Sequence, residues 1–376
     1  MKKILFTAYS LDIGGIETAL VTLLNYLADT KEYDITLALE EKRGIFLNDL
    51  SEDIKVIEYK ISKSKIVPLR KFINMLKQIN FKRKYKNKFD FAAAFATYSI
   101  PDCFMTLVAS ENTCIWGHMD YLAQFDGNKE EVKKFFKARN IDKFKNIILV
   151  SKKSRETFLE VFPELEDRTH AINNLIDYKK IINMSNEMGI ELEVDKNATI
   201  FVNVGRHEEK QKRLSRIIKA SKMLKDAKYN FRVLLVGEGP DTELYKGLVK
   251  KYKLEKEILF MNKRRNPYTF YKAANCVLLS SDYEGYPVVF IESMVMGKPI
   301  ITTDIADTDE IRDKYGIIAE KSSKDLFLKM KKFIDEGFII KEKFNPEEFN
   351  KNIINQIVKI INDENKLIKV EDKKNK

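Results

Sequence analysis

The feature that most constrains this chain is a repeated alternation of short apolar runs with stretches of helical periodicity. In the first half "KKILFTA" reads as a strand, "IETALVTLLNYLADT" as a helix and "YDITLALE" as a strand; then come "KVIEYK", a basic helix, "FDFAAAFA", "TCIWGH" and "NIILVS". Runs that are apolar throughout suit strands buried on both faces, as in a parallel sheet covered by crossover helices. A second series follows: "ATIFVNVG", the helix "RLSRIIKASKMLKDA", "FRVLLVGEG", the helix "DTELYKGLVKKYKL", "EILFMN", "NPYTFYKAA", "CVLLSS", a helix after Pro287, and "KPIITTD". Between the two, "NNLIDYKKIINMSNEMGIELEVDKN" has weak periodicity and reads as a linker. The pattern predicts an α/β protein of two doubly wound, Rossmann-like domains: residues 1–172, a linker over 173–196, and residues 197–345. Residues 346–376 are expected to add a helix that packs back on the first domain and a disordered tail, "EDKKNK".

Length agrees, because 376 residues exceed what one ordinary core organises. No run approaches the roughly 18 to 20 uncharged apolar residues that span a bilayer, and "MKKILFTAYSLDIGG" has too short an apolar stretch for a signal peptide, so a soluble, cytoplasmic protein is expected. Cys103, Cys114 and Cys276 have neither a Cys-x-x-Cys nor a zinc spacing and read as reduced, buried thiols. His118, His170 and His207 are the only histidines and are scattered, which argues against a histidine-built metal centre.

The net charge of +11 is unevenly placed. From Lys60 to Lys88 there are eleven Lys or Arg and no acid, so the remainder balances at 67 − 11 = 56 basic against 56 acidic residues. Leu69, Phe72, Ile73, Leu76 and Ile79 fall at helical spacing within this segment, giving a basic amphipathic helix of the kind that lies on anionic lipid headgroups. A solvated helix packed on its own domain is the plainer alternative. Nucleic acid ranks last, since no aromatic stacking platform accompanies the charge.

Open parallel sheets bind ligands where loops leave the carboxyl ends of their strands. After the first strand, Gly14 and Gly15 can take backbone conformations closed to other residues and precede a helix whose free amides attract an anion. They do not form the Gly-x-Gly-x-x-Gly fingerprint, which disfavours a nicotinamide enzyme. In "FVNVGRHEEKQKRL", Arg206 follows a strand-end glycine and Lys212 stands near the next helix, two cations suited to a diphosphate. In "SSDYEGYPVVFIESMVMG", Gly285, Tyr286, Val288 and Val289 offer main-chain groups at a helix start. Glu292, about one turn into that helix, can accept from a ribose diol, while Glu284 in the loop can meet a sugar hydroxyl. His118, just past "TCIWG", is a lone histidine of the kind that is more often structural.

With these stretches together, "GGIE", "IWGHMD", "VSKKSRETF", "NNLID", "VGRHEEKQKRLSRIIKA", "LLVGEGP" and above all the Glu-x7-Glu of "SSDYEGYPVVFIESMVMGKPIITTD", the chain resembles a retaining glycosyltransferase of family 4, of the bacterial surface-polysaccharide type. The resemblance implies a GT-B fold, an acceptor-side first domain facing a nucleotide-sugar-binding second domain across a cleft. It implies transfer of a hexose-type sugar from a nucleotide-diphosphate sugar, a UDP-sugar foremost, to a hydroxyl of a glycan or lipid-linked glycan in capsule, O-antigen or cell-wall assembly. It assigns Glu284 and Glu292 to donor sugar and ribose, Arg206 and Lys212 to the diphosphate, Gly14 and Gly15 to its cradle, and a catalytic role to His118. No metal or other cofactor is expected. The basic helix places the enzyme as a peripheral protein on the inner face of the plasma membrane.

The sequence departs from the family in two places. Arg206 and Lys212 stand one residue further apart than usual, so that Lys210 is the alternative lysine, and "DIADTDEI" lacks the glycines common there. Asp307 to Asp309, "DTD", mimics an Asp-x-Asp metal motif but follows the last core strand, where it reads as a decoy. No obvious carboxylate base stands in the first domain. A nucleotide-sugar epimerase of the same architecture and a non-catalytic partner subunit are the rival readings; the latter would be expected to have lost His118, Arg206 or Glu284. Sugar, base, acceptor and oligomeric state are not legible in the sequence.

Overall fold

The computed structural model describes residues 1–97, 99–187 and 197–363. The chain divides into two compact units, Met1–Leu175 with Glu348–Lys376, and Ile176–Glu347. Each is built on one parallel sheet.

In the first unit the strands are β1 (Lys2–Ala8), β2 (Tyr33–Leu39), β3 (Lys55–Glu58), β4 (Phe91–Ala94), β5 (Thr113–Gly117), β6 (Asn146–Leu149) and β7 (Thr169–Ala171). Their order is β3-β2-β1-β4-β5-β6-β7, every pair parallel. The connecting helices are α1 (Gly15–Asp29), α2 (Val67–Tyr85), α3 (Ile100–Ala109), α4 (Tyr121–Gln124), α5 (Lys129–Lys137) and α6 (Lys152–Leu159). α1 buries Leu20, Leu23, Leu24 and Leu27, one stripe at the 3.6-residue period. Phe6 of β1 and Phe95, just past β4, pack on Trp116, with ring centroids 6.4 and 5.0 Å away. The chain leaves β1 outward to β3, returns to β4 and winds the other way, so the order reverses between β1 and β4.

The second unit opens with α7 (Tyr178–Ser185), a helix inside the stretch expected as linker. Then come β8 (Thr199–Val204), α8 (Glu209–Lys212), α9 (Leu214–Asp226), β9 (Phe231–Val236), α10 (Thr242–Lys251), β10 (Ile258–Phe260), α11 (Tyr268–Ala273), β11 (Cys276–Leu279), α12 (Val288–Val295), β12 (Ile300–Thr303), β13 (Gly316–Ala319) and α13 (Ser323–Glu336). The sheet runs β10-β9-β8-β11-β12-β13, again parallel, with its reversal between β8 and β11. Ligands bind outside the strand ends at such reversals.

Helix α14 (Pro346–Asn362) buries Ile353, Ile354, Ile357, Ile360 and Ile361. Asn112 of the first unit donates to the carbonyls of Ile360 and Ile361, at 3.0 and 3.2 Å. The expected disordered tail lies outside the described residues, as does 188–196 of the expected linker.

The basic segment is indeed a helix, α2, and it buries only Phe81, which packs edge-on against Tyr59 at 5.2 Å. Leu69, Phe72, Leu76 and Ile79 remain 45%, 54%, 48% and 55% exposed. Fully burying such a side chain stabilises a fold by about 1.5–3 kcal/mol. Four of them lie along one exposed stripe, a larger apolar patch than scattered single residues make. The plainer expectation, a helix whose apolar stripe packs on its own domain, does not hold for these four. No helix among the described residues is long and apolar enough to cross a membrane.

Candidate active site

At the reversal of the second sheet, the loops after β8, β9 and β11 are fastened to one another. Gly237, after β9, has φ +144°, and a Cβ there would lie 1.9 Å from the Gly205 carbonyl oxygen, so only glycine lets the two strand ends approach this closely. His207 is buried, its Nδ1 3.0 Å from the Thr242 hydroxyl, and burial lowers its pKa. Held between Gly205 and this neutral anchor, Arg206 stands out from the strand end with its side chain 66% exposed, 3.5 Å from Glu208. So exposed an ion pair adds little stability, which leaves the guanidinium open to another anion.

The next turn carries Lys212 back over the strand end, its Cε 3.9 Å from where a Gly205 Cβ would be. Arg213 then adopts φ 50°, ψ 42°, the left-handed conformation that reverses the chain from α8 into α9. Its guanidinium donates to Asp282 at 2.5 Å, and Arg216 donates to the other Asp282 oxygen at 2.7 Å. Burial pushes Asp282 up, but the two arginines more than offset it and hold the carboxyl below its usual range.

Glu284 is the focus of this arrangement. Its Oε1 accepts from Lys212 Nζ at 2.6 Å and from the Ser281 hydroxyl at 2.7 Å, and its Oε2 from Gln211 Nε2 at 2.9 Å. Of the two candidate lysines, Lys212 is therefore the one placed on this carboxylate. Glu292, inside α12, accepts from the hydroxyls of Tyr271 at 2.6 Å and Tyr268 at 3.2 Å. Burial pushes its carboxyl above the usual range, and the two hydroxyls oppose that shift. We expect Tyr271→Phe to destabilise the second unit by about 1–3 kcal/mol, because it strips a donor from a buried carboxylate. Urea denaturation measures this, and an unchanged midpoint would show that the bond contributes nothing.

Pro287 caps α12 without a side-chain hydrogen bond, so the amides of Val288 and Val289 open a helix start that attracts negative charge. The Tyr286 ring is buried edge-on against Phe290 at 5.9 Å, and its hydroxyl reaches Glu310 at 3.3 Å. Only the main chain at Gly285 and Tyr286 can then serve a ligand in the way the sequence suggested.

In the first unit, Gly14 and Gly15 follow β1 as expected, but not for the expected reason. Gly14 has φ −171° and ψ 159°, extended backbone open to any residue, Gly15 is the first residue of α1, and neither has a positive φ. A Cβ on Gly14 would instead meet the Glu17 carboxylate at 2.1 Å, so an acidic group already sits at this helix start. His118 follows β5, with Nε2 2.6 Å from the Phe95 carbonyl oxygen. Burial drives its pKa down to about 4, against the effect of that bond. A neutral imidazole facing a carbonyl must carry its proton on Nε2. Nδ1 is then a buried acceptor with no partner among the described residues.

Sequence reasoning missed Gln211, Ser281, Tyr268 and Tyr271. The two tyrosines stand three apart on α11, hence on one face, which was a usable signal. Nothing in the sequence marked the buried carboxyl of the first unit either. The structure places Glu40 just past β2, buried and bonded by the Ser99 hydroxyl; burial and then the Glu41 charge raise it to about 7, against Lys63. Asp307 and Asp309 belong to no metal-like group, since among the described residues no cluster of three or more His, Cys, Asp or Glu forms; Asp309 lies 3.5 Å from Arg312.

The sequence family described as glycosyl transferases group 1 matches residues 185–371, the stretch that contains Arg206, Lys212, Glu284 and Glu292. Over these residues the chain belongs to this family. It is 28% identical to an uncharacterised glycosyltransferase of Methanocaldococcus jannaschii over 43% of this chain and 40% of that one. It is 24% identical, over 81% of both chains, to the N-acetylgalactosamine-N,N'-diacetylbacillosaminyl-diphospho-undecaprenol 4-alpha-N-acetylgalactosaminyltransferase of Campylobacter jejuni. The matched stretch thus spans two fifths of the first relative's length. Among solved structures, HepE of Anabaena in complex with UDP and glucose superposes with a TM-score of 0.73 at 17% identity, covering 95% of this chain and all of that one. That likeness is one of fold, the two-sheet GT-B architecture.

Proposed function

We propose that this protein is a retaining glycosyltransferase that moves a sugar from a nucleoside-diphosphate sugar, a UDP-sugar first, to a hydroxyl of a lipid-linked glycan in bacterial surface-polysaccharide assembly. The observation that carries this reading is the pairing of Lys212 with Glu284 at the reversal of the second sheet, with Glu292 one loop further on. A buried carboxylate for sugar hydroxyls, a second for a ribose diol, and cations for a diphosphate form one donor-shaped set. The UDP held by the HepE structure and the diphospho-undecaprenol substrate in the Campylobacter relative's name support the choice of donor and acceptor class.

In the reaction the bond between the anomeric carbon and the diphosphate oxygen breaks, and a bond to the acceptor oxygen forms on the same face. The acceptor's proton passes to the departing phosphate oxygen. Arg206, Lys212 and the amides at the start of α12 meet the negative charge that develops there, the electrostatic task that dominates such steps. Glu284 accepts from sugar hydroxyls and Glu292 from the ribose. In the first unit, the buried Nδ1 of His118 can accept from a hydroxyl once its cover moves aside, and the neutral ring brings no charge of its own. The start of α1, with Gly14 and Gly15, takes a diphosphate only once the Glu17 carboxylate that already sits there swings away.

The exposed apolar stripe of α2, set among Lys71, Lys82, Arg83 and Lys86, supports docking on an anionic bilayer, at the cytoplasmic face where a lipid-linked acceptor is presented. Because fixed cations meet the diphosphate charge, we expect turnover to persist in excess EDTA. The experiment is release of nucleoside diphosphate from UDP-glucose, UDP-N-acetylglucosamine and GDP-mannose, with and without the chelator. Strict dependence on added magnesium or manganese would return Asp307 to Asp309 to consideration as a metal site, and no binding or release with any donor would sink the transferase reading.

A further inference from the structure

Glu284 is nearly enclosed, at 7% exposure, and draws on three donors: Lys212 and Ser281 on Oε1, Gln211 on Oε2. On the reading above, Lys212 has a second duty, since the donor's diphosphate competes for the same ammonium. What Lys212 gives to the diphosphate it withdraws from Glu284, and a carboxylate this buried cannot replace the loss with water. Gln211 stands differently. It is neutral, so a diphosphate does not pull it with a full charge, and its main chain is tied to the very loop that bears Glu284. The Gln211 carbonyl accepts from the Asp282 amide at 2.8 Å. On the far side, Ser280 donates to the Lys212 carbonyl at 2.8 Å, and Arg213, in its left-handed conformation, grips Asp282. The α8 turn and the β11 loop therefore move as one body, with Gln211 at their seam.

We propose that Gln211 is a positioning residue: it holds Glu284 through Oε2 while Lys212 turns to the diphosphate, which frees Oε1 for the sugar. This rests on the transferase reading and adds a division of labour within it. Nucleotide binding needs Lys212, whereas alignment of the sugar needs Gln211. A defect at Gln211 must then appear in steps that use the sugar and be absent from binding of the nucleotide alone.

The test is Gln211→Met, nearly isosteric but without the donor, beside Gln211→Glu, which sets a like charge against Glu284. Calorimetry gives the Kd of UDP, and hydrolysis of UDP-glucose in the absence of acceptor gives kcat and KM. We expect Gln211→Met to keep the UDP Kd within about twofold while kcat falls about 10- to 100-fold, the range that misplacement of a reacting group by an ångström produces. Gln211→Glu should fall further, with its melting temperature reporting any folding defect separately. If Gln211→Met retains wild-type kcat, or loses UDP affinity as steeply as turnover, the inference is overturned while the transferase reading stands. If the wild-type protein binds no UDP, GDP or ADP, both fall together.

Discussion

Arg206→Ala and Lys212→Ala should each lower turnover roughly 100- to 1000-fold, the loss seen when one preorganised donor to a developing anion is removed. The two should differ in what accompanies that loss. Arg206 is 66% exposed and its ion pair with Glu208 stands in solvent, so its removal should leave the melting temperature unchanged. Lys212 lies on Glu284, and its loss leaves a buried carboxylate with Ser281 and Gln211 alone, so some stability should go with the activity. Steady-state kinetics with a thermal melt on each variant separates the two effects. Activity near wild type in both variants would remove the diphosphate site from the second unit.

Most strands of the two sheets, though not β7 or β13, were legible because they are short, largely apolar runs between polar punctuation. Helices such as α1 and α9 were legible because one face is wet. α3, "IPDCFMTLVA", went unmarked because it buries Cys103, Met105, Thr106 and Ala109 and is apolar nearly all round, which erases the period. β13 is a four-residue edge strand, too short to stand out. Strand order is not carried by periodicity at all, so the reversals between β1 and β4 and between β8 and β11 had to come from the structure. The site shows the same division. Glu284 and Glu292 announced themselves because a strand, a loop and a helix start enclose them within one contiguous stretch. Their partners did not, because Gln211 and Glu284 are 73 residues apart and Tyr271 and Glu292 are 21 apart. Gly14 teaches a narrower point, since a glycine pair before a helix suggested a backbone conformation closed to other residues, whereas that of Gly14 is extended.

Reversing Arg70, Lys71, Lys82 and Arg83 to Glu should abolish binding to anionic liposomes and slow transfer to a lipid-linked acceptor, while hydrolysis of donor sugar in solution changes little. The structure sharpens the reason. α2 is held on its unit by Phe81 and Tyr85 and by the bond from the Ser62 amide to Asn74, with Lys82 over the Phe104 ring at 5.8 Å, and turns Leu69, Phe72, Leu76 and Ile79 outward. Such a helix has both parts of an interfacial anchor, apolar side chains to enter the headgroup boundary and cations to be held above it. Each basic residue near an anionic surface contributes on the order of 1 kcal/mol, so exchanging four attractions for four repulsions opposes binding by an amount comparable with what the apolar stripe supplies. Because that attraction is screened beyond about 8 Å at physiological ionic strength, binding should weaken steadily with added salt. Phe72→Asp, which keeps every positive charge, should weaken binding at all salt concentrations and so separates the apolar part from the electrostatic one. Co-sedimentation with phosphatidylglycerol vesicles across a salt series measures both. A wild-type protein that stays in the supernatant at low salt would mean that the outward face of α2 meets something other than lipid, and a membrane-borne acceptor would lose its main structural support.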